Sequence, residues 1–134
     1  MKFMRYIGLS AAALLVASCA MTPAQQAEIS SLVTAVEPLV AAYAQTGHVS
    51  EAQAIPAALN SLAVFDPSQA VDAGQLAANI ESTVNAFTNN TAGSTGQKIA
   101  SAVLNVLPPN PSGAQVNAAL AQASIGAGNG AGGK

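Results

Sequence analysis

One cysteine, one histidine and six carboxylates hold most of the chemistry available to this 134-residue chain. His48 follows Gly47 and has Glu51 as its nearest candidate partner. One imidazole and one carboxylate make a poor zinc site, which usually takes four ligands or three plus water. A solvated loop histidine is the better reading. Glu37 and Glu81 stand 44 residues apart in similar surroundings. Paired carboxylates can do acid–base work or hold a cation, yet both are expected on or near the polar sides of their helices. Serines are plentiful, but none lies in a Gly-x-Ser-x-Gly nucleophile elbow. Ser50, Ser94, Asp66 and Asp72 have the spacing of helix caps. Gly126 to Gly133 is glycine-rich but lacks the lysine–serine pair of a phosphate loop. Asn89-Asn90-Thr91 matches a glycosylation sequon and carries little weight. No catalytic constellation emerges, and the expectation is a protein that is not an enzyme, with no metal and no cofactor.

Cys19 differs from these because its neighbours give it a chemistry. Lys2 and Arg5 form a basic start, and Ile7 to Val16 is an apolar stretch. About ten apolar residues suit the h-region of a signal peptide and fall short of the roughly twenty needed to span a bilayer. Val16-Ala17-Ser18-Cys19 follows: an apolar residue, two small residues and the cysteine. This run resembles the lipobox of bacterial lipoproteins, over the first nineteen residues only. The resemblance implies cleavage between Ser18 and Cys19, a diacylglyceryl group on the Cys19 thiol, and often acylation (palmitate, for example) of the new amino terminus. It also implies that Cys19 is no catalytic nucleophile, since its sulfur is a thioether. Two or three acyl chains anchor stably, each buried methylene contributing about 0.8 kcal/mol. Two simpler readings compete: ordinary cleavage after Ala20, releasing a soluble protein, and an uncleaved anchor helix. In enteric bacteria Asp after the cysteine tends to retain lipoproteins in the inner membrane; Ala20 instead favours the periplasmic face of the outer membrane, if the cell has one.

Residues beyond Cys19 must then be held by structure rather than by disulfides, for there is no second cysteine. Charged residues make up 7% of the chain, while 51% is hydrophobic and 4% aromatic. In an ordinary soluble domain roughly a quarter of the residues are charged. Alanine supplies much of the apolar share and favours helices with close, small-residue contacts. After cleavage Lys98 and Lys134 are the remaining lysines and no arginine is left, so there is no basic patch for nucleic acid. Thr22-Pro23-Ala24-Gln25 reads as a helix start, with Thr capping and Pro at the first helical position. Ile29, Leu32, Val33, Val36, Leu39, Val40 and Tyr43 follow on one face, Pro38 lies on the other, and Gly47 is the stop. Ser50-Glu51-Ala52-Gln53 reads as a capping box before Ile55, Leu59 and Leu62. Asp72 opens a third helix with Leu76, Ile80, Val84 and Phe87 inward. Asn89 to Gly93 is a turn. Ser94 opens a fourth helix carrying Ile99, Val103, Val106 and Leu107, stopped by Pro108-Pro109. Asn110-Pro111 starts a weaker fifth helix with Val116 and Leu120. Residues 126–134 read as a flexible Gly/Ala tail.

A shift of 44 residues lays Thr22-Pro23 on Asp66-Pro67 on Asn110-Pro111, and Leu32, Val36 and Val40 on Leu76, Ile80 and Val84. The expectation is an all-α fold. It is a small helical bundle from two αα-hairpin repeats (22–65 and 66–109) plus a short fifth helix (110–125) acting as a cap. The domain plan is therefore signal peptide 1–18, anchored start 19–21, helical domain 22–125 and tail 126–134. The expected role is a non-enzymatic, membrane-anchored envelope lipoprotein, whose partners are membrane lipid through Cys19 and an envelope protein or a second copy. Two other readings stand beside it. One is a small-ligand carrier with a cavity lined by Leu32, Val36, Ile80 and Val84. The other is a phage-encoded lysis lipoprotein; the chain is only weakly similar to outer spanin subunits, which are typically shorter and proline-rich.

Overall fold

A computed structural model describes residues 23–132. The signal segment, Cys19 and the Thr22 cap lie outside the described residues. Seven helical segments follow: α1 (Pro23–Ser30), α2 (Leu32–Gln45), α3 (Val49–Ala52), α4 (Ile55–Leu62), α5 (Ala73–Phe87), α6 (Thr95–Asn105) and α7 (Gly113–Gly132), with no strand among the described residues. The fold is all-α. Segments α1 and α2 meet at Ser31, which keeps helical backbone angles; its N–H donates to the Ala27 carbonyl and its carbonyl accepts from Ala35 N. They therefore form one nearly continuous rod. Pro38 is exposed on that rod and does not interrupt it. Gly47 ends it at φ +95°, a conformation that costs glycine little and other residues more.

The packed neighbours form a ring: α2 against α6, α6 against α5, α5 against α4, α4 against α7, and α7 against α2. Contacts along each pair give the directions. Tyr43 meets Thr91 while α6 runs back beside α2, and Asn117 meets Phe65 while Ser124 meets Pro56. Alternation around an odd ring must fail once, and it fails at α2 and α7, which run parallel: Gln25 meets Gln115, and Val33 and Glu37 lie under Gly126 and Gly130. Inside the ring sits one apolar core. Its largest fully buried side chains include Leu32, Val36 and Val40 of α2, Ile55 and Leu59 of α4, Leu76, Ile80 and Val84 of α5, Ile99 and Val103 of α6, and Val116 and Leu120 of α7. These are the 3–4 spaced stripes expected of amphipathic helices.

The C-terminal region departs most from the sequence reading. Residues 126–132 are not a loose tail; they continue α7, the longest helix among the described residues, and Gly126, Ala127, Gly130 and Ala131 are buried. Nor is the fifth helix a short cap, since α7 packs on both α2 and α4 and completes the ring. The physical reason lies in two glycines. A Cβ on Gly126 would stand 2.5 Å from the Val33 carbonyl oxygen, and one on Gly130 would collide with the Glu37 carbonyl. Hydrogen in place of a side chain lets the two backbones touch, which offsets the helix propensity lost at each glycine, about 1 kcal/mol. The start of α7 is equally specified. Ser112 Oγ accepts from Gln115 N at 3.3 Å, and Gln115 Oε1 accepts from Ser112 N at 2.9 Å. The two bonds make a reciprocal capping box.

Smaller corrections concern caps and one aromatic. Ser50 lies inside α3, which follows His48, and it does not cap. Ser94 precedes α6 as expected, but its side chain makes no capping hydrogen bond. Asp66 organises a turn rather than a helix start, whereas Asp72 does cap α5, accepting from Gly74 N at 3.0 Å. Phe87 is 42% exposed. Thr88, four residues after Val84, takes the inward place instead, its hydroxyl donating to the Val84 carbonyl at 2.7 Å.

Two polar clamps fasten α7 to the rest. Asn117 accepts from Phe65 N at 3.0 Å and donates to the Phe65 carbonyl at 2.9 Å. A short antiparallel bridge pairs Ala70 with Ser112, through Val71 N to Pro111 O at 2.8 Å and Gly113 N to Gln69 O at 2.7 Å. Replacing Asn117 by Ala leaves both backbone groups of Phe65 without that partner. The expected loss is about 1–3 kcal/mol, read as a lower denaturation midpoint; a change below about 0.5 kcal/mol, the range of an ordinary surface substitution, contradicts the clamp.

Candidate functional site

The one histidine, one tyrosine of the core and the one described lysine meet at a single end of the bundle. The ring sets two ends. At one end lie Pro23, the 65–72 loop and the 108–112 turn, drawn together by the Gln25–Gln115 contact and the Ala70–Ser112 bridge. At the other lie the Gly47 turn, the 88–94 turn and the last turn of α7, where a Cβ on Gly132 would meet the Gln53 side chain at 3.8 Å.

A cleft of about 360 Å³ opens at this second end, between the end of α2 and the start of α6. Pro38, Leu39, Ala42 and Ala92 give it apolar walls; Tyr43, Thr46, His48, Thr91, Thr95 and Lys98 give it polar ones. The Gly47 turn folds His48 back so that its ring stacks on Tyr43, with centroids 5.1 Å apart and planes 14° from parallel. His48 Nδ1 lies 3.7 Å from Glu51 Oε1, the partner expected from the sequence. Both side chains are partly exposed, so the pair is a weak ionic contact that exists only when the imidazole is protonated. The hydroxyls of Tyr43, Thr46 and Thr91 are already employed. Tyr43 and Thr91 hydrogen-bond to each other, Thr91 donates to the Thr88 carbonyl at 2.6 Å, and Thr46 donates to the Tyr43 carbonyl at 2.6 Å. These bonds close the ends of α2 and α5. The arrangement can stack on or hydrogen-bond a small group, and it holds no nucleophile poised beside a base.

The other sequence-derived candidates are dispersed. Glu37 and Glu81 lie on α2 and α5, which are not neighbours in the ring. Their shared feature is structural: the backbone of each is where a glycine closes in, Gly130 on Glu37 and Gly96 on Glu81. Among the described residues no three His, Cys, Asp or Glu side chains are placed to hold a metal ion. Leu32, Val36, Ile80 and Val84, the walls of the envisaged carrier cavity, belong to the packed core and are fully buried. Cys19 and Ser18 lie outside the described residues. Sequence gives no sign of the Tyr43–Thr91 pair or of the place of Lys98. Tyr43 reads as one more residue of the apolar stripe, and no local motif links it to a turn 48 positions away.

At the first end a second groove, of about 430 Å³, lies under the 65–72 loop, with Phe65, Val71 and Leu76 beside Asp66, Asp72 and Asn79. Asp66 Oδ1 accepts from the backbone N–H of Ser68 at 3.0 Å and from its hydroxyl at 2.9 Å. The backbone bond first, and then the hydroxyl, hold the Asp66 carboxyl below its ordinary value, against an opposing effect of burial. A lowered folded pKa means that the carboxylate stabilises the fold fully above the ordinary Asp value. That contribution disappears as pH falls through the lower folded value. We expect NMR titration of Asp66 to show a midpoint below the usual Asp range, moving up in Ser68→Ala; an unchanged midpoint in that variant contradicts the turn.

No described helix is long and apolar enough to cross a membrane. No protein-family model, curated protein or solved structure matches the chain.

Proposed function

We propose that the chain is a small bacterial envelope lipoprotein, cleaved before Cys19 and anchored through acyl chains on it, whose helical bundle acts as a non-enzymatic interaction module. One observation carries this reading: the lipobox-like run Val16-Ala17-Ser18-Cys19 stands behind a basic start and a ten-residue apolar stretch, and the first described helix begins four residues later, at Pro23. A leader, a modifiable cysteine and a folded cargo thus follow in the order that export and tethering require. The absence of Asp after the cysteine favours the periplasmic face of an outer membrane. Fractionation tests the anchor. The chain should sediment with membranes and resist extraction by high salt or alkaline carbonate, yet dissolve in detergent. Recovery in the soluble fraction contradicts the proposal. Photo-crosslinking from the surface around His48 in intact cells should give a discrete protein adduct, and none should form from the core position Val84.

The same reading includes an internal duplication. In its favour, equivalent positions 44 residues apart are buried in both copies: Leu32 and Leu76, Val36 and Ile80, Val40 and Val84, Ile55 and Ile99, Leu59 and Val103. The copies differ in how they are filled. Helices α5 and α6 pack directly on each other, while α7 packs on both α2 and α4. A third, truncated copy supplying α7 accounts for that insertion.

A further inference from the structure

The anchor reading leaves open which face of the bundle meets the lipid. From the geometry we infer that the bundle stands on its proline-rich end, with the 65–72 loop and the 108–112 turn facing the lipid surface and the His48 cleft directed away. This rests on Cys19 being the anchor. From Cys19 to the first residue of α1 there are four residue steps, which reach at most about 14 Å even when fully extended. Pro23 is therefore held close to the head groups. Gln25, in the first turn of α1, hydrogen-bonds Gln115 at 3.5 Å, and Ser112, three residues before Gln115, bridges to Ala70. These contacts bring the 65–72 loop and the 108–112 turn to the same end as Pro23. The rod of α1 and α2 runs away from it, as does its parallel partner α7. A helix as long as α7 extends about 30 Å at the usual rise per residue. Gly47, His48 and the cleft lie at the top of that rod.

The facing end is built for close approach without electrostatic attraction. Pro23, Pro67, Pro108, Pro109 and Pro111 gather there, with Asp66 and Asp72. Lys98, the one Lys or Arg among the described residues, lies in the far cleft. Juxtamembrane lysines and arginines draw proteins onto anionic lipid; here two carboxylates take their place. The acyl chains therefore supply the attachment, and no lysine or arginine among the described residues adds electrostatic attraction at this end. Anionic lipid should not strengthen binding.

The test uses the full acylated chain, purified in detergent and reconstituted into phosphatidylcholine vesicles that carry a head-group nitroxide lipid. With the Cys19 thiol occupied, an introduced cysteine is the one free thiol for a fluorophore. Ser68→Cys and Asn110→Cys mark the facing end, Ser50→Cys the far end; all three positions are exposed. The expected result is quenching at 68 and 110 several-fold stronger than at 50, and not strengthened when phosphatidylglycerol is added. Equal quenching at all three sites means a bundle lying flat, and the reverse order means an inverted one; either overturns the orientation while leaving the anchor intact. Failure of the chain to float with vesicles at all overturns the anchor reading and this inference together.

Discussion

Gly130→Ala should destabilise the bundle by about 1–3 kcal/mol, although alanine is the better helix former. The new Cβ would press into the carbonyl of Glu37 and lie 3.0 Å from Ala41 N, both of them helix backbone that cannot rotate aside. Relief requires α7 to move off α2, and that loosens the fully buried contacts of Ala123, Ala127 and Leu120. Gly126→Ala meets the same obstacle at Val33. Because one displacement relieves both, the double variant should cost less than the sum of the singles. Gly128→Ala is the control. Its Cβ would sit 3.8 Å from the Pro56 ring, an ordinary contact. Helix propensity then decides, and stability should rise by up to about 1 kcal/mol. Each kcal/mol moves the melting temperature of a domain near this size by roughly 4–8 °C, so the three glycines should separate clearly in thermal unfolding. If all three variants melt together, α7 is not seated on α2 as described.

Cys19→Ser is expected to have the largest effect on where the protein resides. Serine keeps the size of the side chain but not the nucleophilic thiol that lipidation consumes. Without the thioether the lipoprotein signal peptidase should not cut. The chain should persist as a precursor, and metabolic acyl labelling should vanish. The effect is all-or-none rather than graded, because an uncut precursor frees no new amino terminus for a further acyl chain, so no chain remains to anchor it. The bundle itself should be untouched, since Cys19 precedes every described helix. Unchanged processing in this variant would point to ordinary secretion after Ala20.

Much of the fold is written in side chains whose periodicity can be read directly. The stripe Leu32, Val36, Val40 and its counterpart Leu76, Ile80, Val84 are buried as the spacing predicts, and Asp72 caps α5. What escaped the reading depends on partners. Composition makes Gly126 to Gly132 look like a tail, because glycine is a poor helix former and no large apolar side chain marks a face. The face is there in small residues four apart: Ala123, Ala127 and Ala131 in one row, Gly126 and Gly130 in the next. Such a face has value only against a second backbone, which a single helix does not display. Ser112-Gly113-Ala114-Gln115 carried a capping-box signal that would have announced α7. Ser50 showed the same pattern without the structure, since His48 and the Gly47 turn start that helix earlier. The candidate cleft was half legible. The His48–Glu51 proximity follows from spacing, but the Tyr43 platform and Lys98 arrive only through the packing of α2 on α6.

Intact-mass spectrometry of the protein extracted from its native membrane tests the lipid anchor most directly. The expected species is a chain beginning at Cys19, heavier than residues 19–134 alone by a diacylglyceryl group, with or without a further N-terminal acyl chain. A mass equal to the unmodified polypeptide, whether beginning at Met1 or at Met21, would contradict it.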